Sequence, residues 1–198
     1  MAAARLAKPR HAASGRPLPR AFFVTDPVRT PDPLKVVKRL PRGFGVLWRH
    51  FGESTRLATG IALARTCRRR GLVLLVANDP QLARRIGAAG VHWPERQLRG
   101  VRVRWPGQIE TASAHSRAAI TRAKLRGVDA VFLSAVFPSR SPSAGAPLGA
   151  LCFNRLALAS PLPVYALGGV APDNAARIAK HAAGWAAIEA VMDAWGKA

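Results

Sequence analysis

Eight short β-type runs separated by longer helical stretches constrain this chain more than any other feature. The runs fall at residues 21–25, 45–49, 72–77, 90–92, 111–114, 130–133, 164–167 and 184–188. Several are unbroken apolar segments, such as Leu72-Val73-Leu74-Leu75-Val76. A strand exposed to water on one face alternates polar with apolar residues, whereas an unbroken run needs cover on both faces. That is the situation of a strand in a parallel sheet.

The stretches between the runs carry helical signals. Leu57, Ile61, Ala64 and Arg68 recur with the 3.6-residue period behind a Ser54 or Thr55 cap. Ser116 caps a second helix that Gly127 ends, and Asp173, just after Pro172, opens another running to about Lys180. The last helix, over 191–195, is short. Strand and helix alternating eight times predict an α/β fold, a single (β/α)₈ TIM barrel with parallel strands. A doubly wound open sheet is the alternative. Its glycine fingerprint belongs after the first strand, where this chain has Asp26-Pro27-Val28. The barrel spans 21–198. Residues 1–20 read as a disordered basic tail, with Pro9, Pro17 and Pro19 breaking any helix.

The chain has 198 residues, 49% of them hydrophobic, enough for one core. Its formal charge of +21 comes mainly from arginines spread over many helices, with no nucleic-acid motif among them. A solvated basic surface is therefore expected rather than a nucleic-acid partner. No apolar run reaches a membrane-spanning length, and the N-terminus lacks the apolar stretch of a secretory signal. Cys67 and Cys152 stand alone and far apart, as buried reduced thiols of a cytoplasmic protein. A homo-oligomer is left open.

In a barrel of this type the chemistry sits at the C-terminal ends of the strands. Arg49 ends the second run, and an arginine in a barrel mouth is costly unless it meets an anion. After the third run, Asn78 can donate to a phosphate oxygen, while Asp79 can hold Mg²⁺ or simply cap a helix with Pro80 in its first turn. Ser113 faces inward near the end of the fifth run, and His115 is either an acid–base group or a structural histidine. His92 reads as a satisfied histidine. The proline-rich segment 136–145, with Ser139, Arg140 and Ser141, is long enough to be a lid. Gly168 and Gly169 follow the seventh run, where two glycines let backbone N–H groups approach a phosphate; a tight turn would also require them.

Four segments in order resemble the thiamine phosphate synthase/TenI family, over about residues 21–190. They are Asn78-Asp79 followed by Gly87-Ala88-Ala89-Gly90-Val91-His92; Ser113-Ala114-His115-Ser116; Val131-Phe132-Leu133-Ser134-Ala135-Val136-Phe137-Pro138-Ser139; and Val164-Tyr165-Ala166-Leu167-Gly168-Gly169-Val170 with Pro172-Asp173-Asn174-Ala175. The resemblance implies a triosephosphate-isomerase-type barrel of thiamine biosynthesis. Such a protein joins a pyrimidine pyrophosphate to a thiazole phosphate with Mg²⁺, or tautomerises a thiazole phosphate. Carried over residue by residue, it implies Arg49 and Ser113 as catalytic. It implies Asn78, Ser139, Ser141, Gly168, Gly169, Ile188 and Glu189 as substrate-binding, and Asp79 as the Mg²⁺ ligand.

The chain also departs from that pattern. Leu47 and Phe51 stand where the family has Gln and Lys around Arg49. Gln97 falls near the second metal Asp, Pro142 replaces the lid Lys, Glu189 replaces a phosphate-binding Ser, and Ala135 the TenI-type His. The lost cations and the added carboxylate lead to an alternative expectation. It is a catalytically impaired barrel that binds a thiamine-related ligand or a protein partner. A polyanion-binding role rests on charge alone and is the weakest expectation.

Overall fold

A computed structural model of the chain describes residues 11–52, 55–99, 104–141 and 145–196. The strands are β1 (Ala21–Val24), β2 (Gly45–Trp48), β3 (Val73–Ala77), β4 (Gly90–Trp93), β5 (Ile109–Ala114), β6 (Ala130–Leu133), β7 (Val164–Leu167) and β8 (Gly184–Ala187). The α-helices are α1 (Pro33–Val37), α2 (Arg56–Arg70), α3 (Pro80–Ile86), α4 (Arg117–Leu125), α5 (Gly149–Leu158) and α6 (Glu189–Trp195). All eight strands pair in parallel with their sequence neighbours, and β1 pairs β8 to close the barrel. Each expected strand is present, with ends shifted by no more than two residues.

The unbroken apolar runs split their side chains between two cores. Val46, Trp48, Leu74, Val76, Val91, Val131 and Leu133 point outward and pack under the helices. Phe22, Val24, Leu47, Leu75, Ile109, Phe132, Tyr165 and Ala186 fill the barrel interior. Three aromatic rings dominate that interior: Phe132 lies 5.0 Å from Phe22 and stacks 5.0 Å from Tyr165. The space is tight enough that a Cβ on Gly45 would stand 2.1 Å from the Phe22 ring, so only glycine fits at the start of β2.

Helix ends follow local chemistry. Ser116 caps α4 by accepting from Ala119 N, and Asp79 caps α3 by accepting from Leu82 N at 2.9 Å with Pro80 in the first turn. Helix α2 starts behind Thr55 without a side-chain cap bond, and Ser54 lies outside the described residues. The helix expected over 173–180 is reduced to a 3₁₀ turn, Ala175–Arg177. Asn174 is the reason. Its Oδ1 accepts from Ala171 N and its Nδ2 donates to Gly169 O, which closes a local turn in place of the first helical one.

Of the segment read as a tail, residues 1–10 lie outside the described residues, and residues 11–20 pack beneath the barrel. Ala12 and Leu18 are buried with the interior cluster, Tyr165 donates its hydroxyl to Pro19 O, and Ala13 N donates to Asp129. Tyr165 and Asp129 belong to the barrel itself, so these contacts fasten the segment across its N-terminal end. Cys67 is buried, and burial pushes its thiol up to about 12. Cys152 is exposed on α5, contrary to the expectation of two buried thiols. It lies beside the exposed Leu151 on the solvent face of that helix. Among the described residues no helix is long and apolar enough to cross a membrane.

Candidate active site at the barrel mouth

Strand alternation aims Arg49 into the barrel. Leu47 belongs to the interior cluster, and Arg49, two residues on, shares its face. Its N–H donates to Thr25 Oγ1 at 3.0 Å, which ties the end of β2 to β1. Burial lowers the guanidinium from its ordinary value, the nearby Asp26 opposes this, and Arg29 adds to it. Among the described residues Arg49 makes no salt bridge. Asp26 is committed elsewhere: its carboxylate accepts from Arg29 Nη2 at 2.9 Å and from Val28 and Arg29 N–H groups. The Arg29 hydrogen bond leads in holding Asp26 at about 2, so it stays ionised at neutral pH. The mouth thus contains a largely desolvated cation whose nearest anion is already bound.

Ser113 shares the inward face of β5 with Ile109 and Thr111. His92, on β4, is held between the two hydroxyls, with Nδ1 to Thr111 Oγ1 and Nε2 to Ser113 Oγ both at 2.9 Å. Burial first, and the charge of Arg49 second, push His92 down to about 3, so the ring is neutral at any ordinary pH. A neutral imidazole has one N–H, so it donates to one hydroxyl and accepts from the other. His92 is the satisfied histidine that was expected, and it fixes the Ser113 hydroxyl beside the Arg49 charge. His115 instead turns to the surface, where it pairs with Glu95 at 2.8 Å.

Gly168 and Gly169 have φ of 90° and 64°. A Cβ on Gly169 would stand 2.2 Å from Pro138 O, and one on Gly168 3.0 Å from Ala135 Cα. The pair is therefore required by the close approach of the loop after β6, as well as by its backbone angles. Val136 N and Phe137 N donate to Leu167 O and Gly168 O, pinning that loop down. Ser139 and Ser141 follow it, half-buried, and Ser141 N donates to Ser139 Oγ.

Ile188 and Glu189 follow β8. With Arg29, Arg140, Met192 and Asp193 they line a cavity of about 320 Å³. The Glu189 carboxylate lies 3.7 Å from Arg29 Nη1, so its charge is partly balanced at this wall. Arg29 therefore links Asp26 to Glu189 across the mouth. Sequence reasoning missed it; the signal was an Asp–x–x–Arg spacing straight after β1.

Asn78 and Asp79 follow β3. Asn78 holds a left-handed backbone (φ 52°), which asparagine tolerates well, and its N–H donates to His92 O. Asp79 is not an open ligand. One oxygen caps α3 and the other accepts from Arg56 Nη1 at 2.5 Å. Glu95, the nearest substitute for a second acidic ligand, is held by His115 and Arg122. Among the described residues no three His, Cys, Asp or Glu side chains gather as a metal site. The family uses Mg²⁺, and these residues do not form a ligand set for it.

The comparisons with known proteins agree with this architecture. The TMP-TENI family model, described as thiamine monophosphate synthase, matches residues 23–191. A thiamine-phosphate synthase of Chromobacterium violaceum is 37% identical over 145 residues, covering 70% of this chain and 64% of that protein. One from Chlorobium luteolum is 33% identical over 72% of this chain and 68% of its own length. The thiamine biosynthesis bifunctional protein ThiED of Geobacter sulfurreducens is 33% identical, and the match covers 64% of this chain but only 26% of that longer protein. A solved thiamine phosphate pyrophosphorylase from Pyrococcus furiosus superposes with a TM-score of 0.72 at 23% identity, covering 87% of each chain. With the family model spanning nearly the whole barrel, the chain belongs to the thiamine monophosphate synthase (TMP-TENI) family.

Proposed function

We propose that the barrel mouth binds a thiazole phosphate and serves thiamine biosynthesis by joining it to a pyrimidine pyrophosphate. The observation that carries this reading is Arg49, a mostly buried guanidinium with no salt bridge among the described residues. A desolvated cation is retained where a ligand supplies the anion. In this reading Gly168 and Gly169 offer N–H groups to the phosphate and Ile188 lines the wall beside them. Ser113 is held by His92 to face the reacting centre, Asn78 contacts the pyrimidine side, and Ser139 and Ser141 close over the ligand with Arg140. Glu189, drawn toward Arg29, leaves the phosphate to the cations. Arg29 and Arg140 take over part of the charge that lysines supply elsewhere in the family.

The test is direct. The purified chain is incubated with the pyrimidine pyrophosphate and the thiazole phosphate, with and without Mg²⁺, and thiamine phosphate is followed by chromatography. Product is expected, along with heat of binding for thiazole phosphate alone in a calorimeter. Neither product nor binding would overturn the proposal. Binding without product would reduce it to a ligand-binding barrel.

A further inference from the structure

Arg56 is the most constrained cation at the functional end, and the site just described does not use it. It opens α2, directly beyond β2. Its Nε donates to His50 O at 2.7 Å and its Nη1 to Asp79 at 2.5 Å. The guanidinium lies 5.4 Å over the Trp48 ring and 5.7 Å over the Phe51 ring, so two aromatic rings restrain it. The third nitrogen, Nη2, is buried and has no hydrogen-bond partner among the described residues. Three restraints fix the plane of the group and leave one charged donor unused. An unused charged donor is costly to bury, and a site that binds an anion there removes the cost. Phe51, half exposed at 51%, is the cover that an entering ligand would displace.

We propose that Arg56 stands in for a divalent cation, so that this chain binds a diphosphate-type ligand without metal. The proposal rests on the reading that the mouth takes phosphorylated ligands. Mg²⁺ needs near-octahedral oxygen ligands, usually one or two carboxylates plus phosphate oxygens. Here the Asp79 carboxylate is shared between the α3 cap and Arg56, Asp26 is held by Arg29, and Glu95 is held by His115 and Arg122. A guanidinium carries its charge at all working pH values and presents planar N–H donors that match phosphate oxygens. Fixed on Asp79, it presents to a diphosphate one permanently charged donor, Nη2, and needs no loading.

Calorimetry of the full chain with inorganic pyrophosphate, in EDTA and in excess Mg²⁺, tests this, together with Mn²⁺ alone followed by electron paramagnetic resonance. The affinity is expected to agree within about twofold between the two conditions, and wild-type protein should leave Mn²⁺ free. Arg56→Gln should weaken pyrophosphate by about 10- to 150-fold in EDTA, the span of one charge-assisted contact. Arg56→Lys keeps the charge and should recover part of the loss, which separates charge from any folding defect. Mn²⁺ bound by wild type and lost in Asp79→Asn would overturn the proposal. So would a tenfold dependence of pyrophosphate affinity on Mg²⁺, or thiazole phosphate binding with no pyrophosphate binding in either condition; that last result leaves the functional reading intact. Metal-free pyrophosphate binding without thiazole phosphate binding or product would uphold Arg56 and sink the functional reading instead.

Discussion

Arg49→Met should make the protein more stable and a worse binder at once. Methionine fills much of the same volume, so little cavity results. What disappears is a guanidinium that burial lowers and that has no salt bridge among the described residues. Replacing a poorly compensated buried charge by an apolar side chain is neutral or stabilising, here by about 1 kcal/mol. The repulsion from Arg29 goes too, while the attraction to Asp26 is lost, so the gain stays small. For the ligand the sign reverses: one charge-assisted contact to a phosphate contributes about 1.5–3 kcal/mol, or about 10- to 150-fold in affinity. Urea titration reads the first effect as a higher midpoint at unchanged slope, and calorimetry with thiazole phosphate reads the second. A lower midpoint with undiminished affinity would refute the reasoning, because Arg49 would then be a structural residue that the ligand never meets.

Other outcomes follow from the same geometry. His92 is held near 3 in the folded protein against an ordinary value of 6.5, so between those values the unfolded chain binds the extra proton. Stability should therefore rise with pH across that window, by about 1.4 kcal/mol per unit for this one group, and His92→Gln should remove that share of the slope in urea titrations from pH 4 to 6. Gly127 and Gly169 both have positive φ, but a Cβ meets nothing within 4 Å at Gly127 and stands 2.2 Å from Pro138 O at Gly169. Gly127→Ala should cost about 1 kcal/mol, from backbone strain alone, and Gly169→Ala clearly more in the same thermal or urea assay. In native protein a thiol reagent should modify Cys152 at once and reach Cys67 only on unfolding, as mass spectrometry would show.

The strands were legible because a strand buried on both faces writes its position as an unbroken apolar run, and 72–77 and 130–133 do so plainly. The caps at Asp79 and Ser116 were legible for a similar reason: they depend on residues within one turn. What lay outside local reach was tertiary. Asn174 folds back onto Gly169 and Ala171, which suppresses the helix that the spacing after Asp173 suggested. Leu18 looks like part of a basic tail until the open underside of the barrel offers it an apolar seat.

The candidate site was legible in part. Arg49, Ser113 and the Gly168-Gly169 pair were proposed from their places at strand ends, and the structure places them there. Arg29 and Arg56 were missed, because each matters only through a partner from another element: Glu189 for the first, Asp79 and two aromatic rings for the second. The glycine pair also acquired a second reason to exist. It admits the carbonyl of Pro138 at a distance no side chain would allow, so its presence alone says less about phosphate than its position implied.

The central claim is that the mouth around Arg49 exists to receive a phosphorylated thiazole on the way to thiamine phosphate. The most direct measurement is calorimetry of the chain with thiazole phosphate beside the same thiazole without its phosphate. The account predicts saturable binding of the phosphate ester, at least tenfold weaker binding of the free alcohol, and loss of that difference in Arg49→Met. Equal affinity for the two forms, or no binding of either, would contradict it.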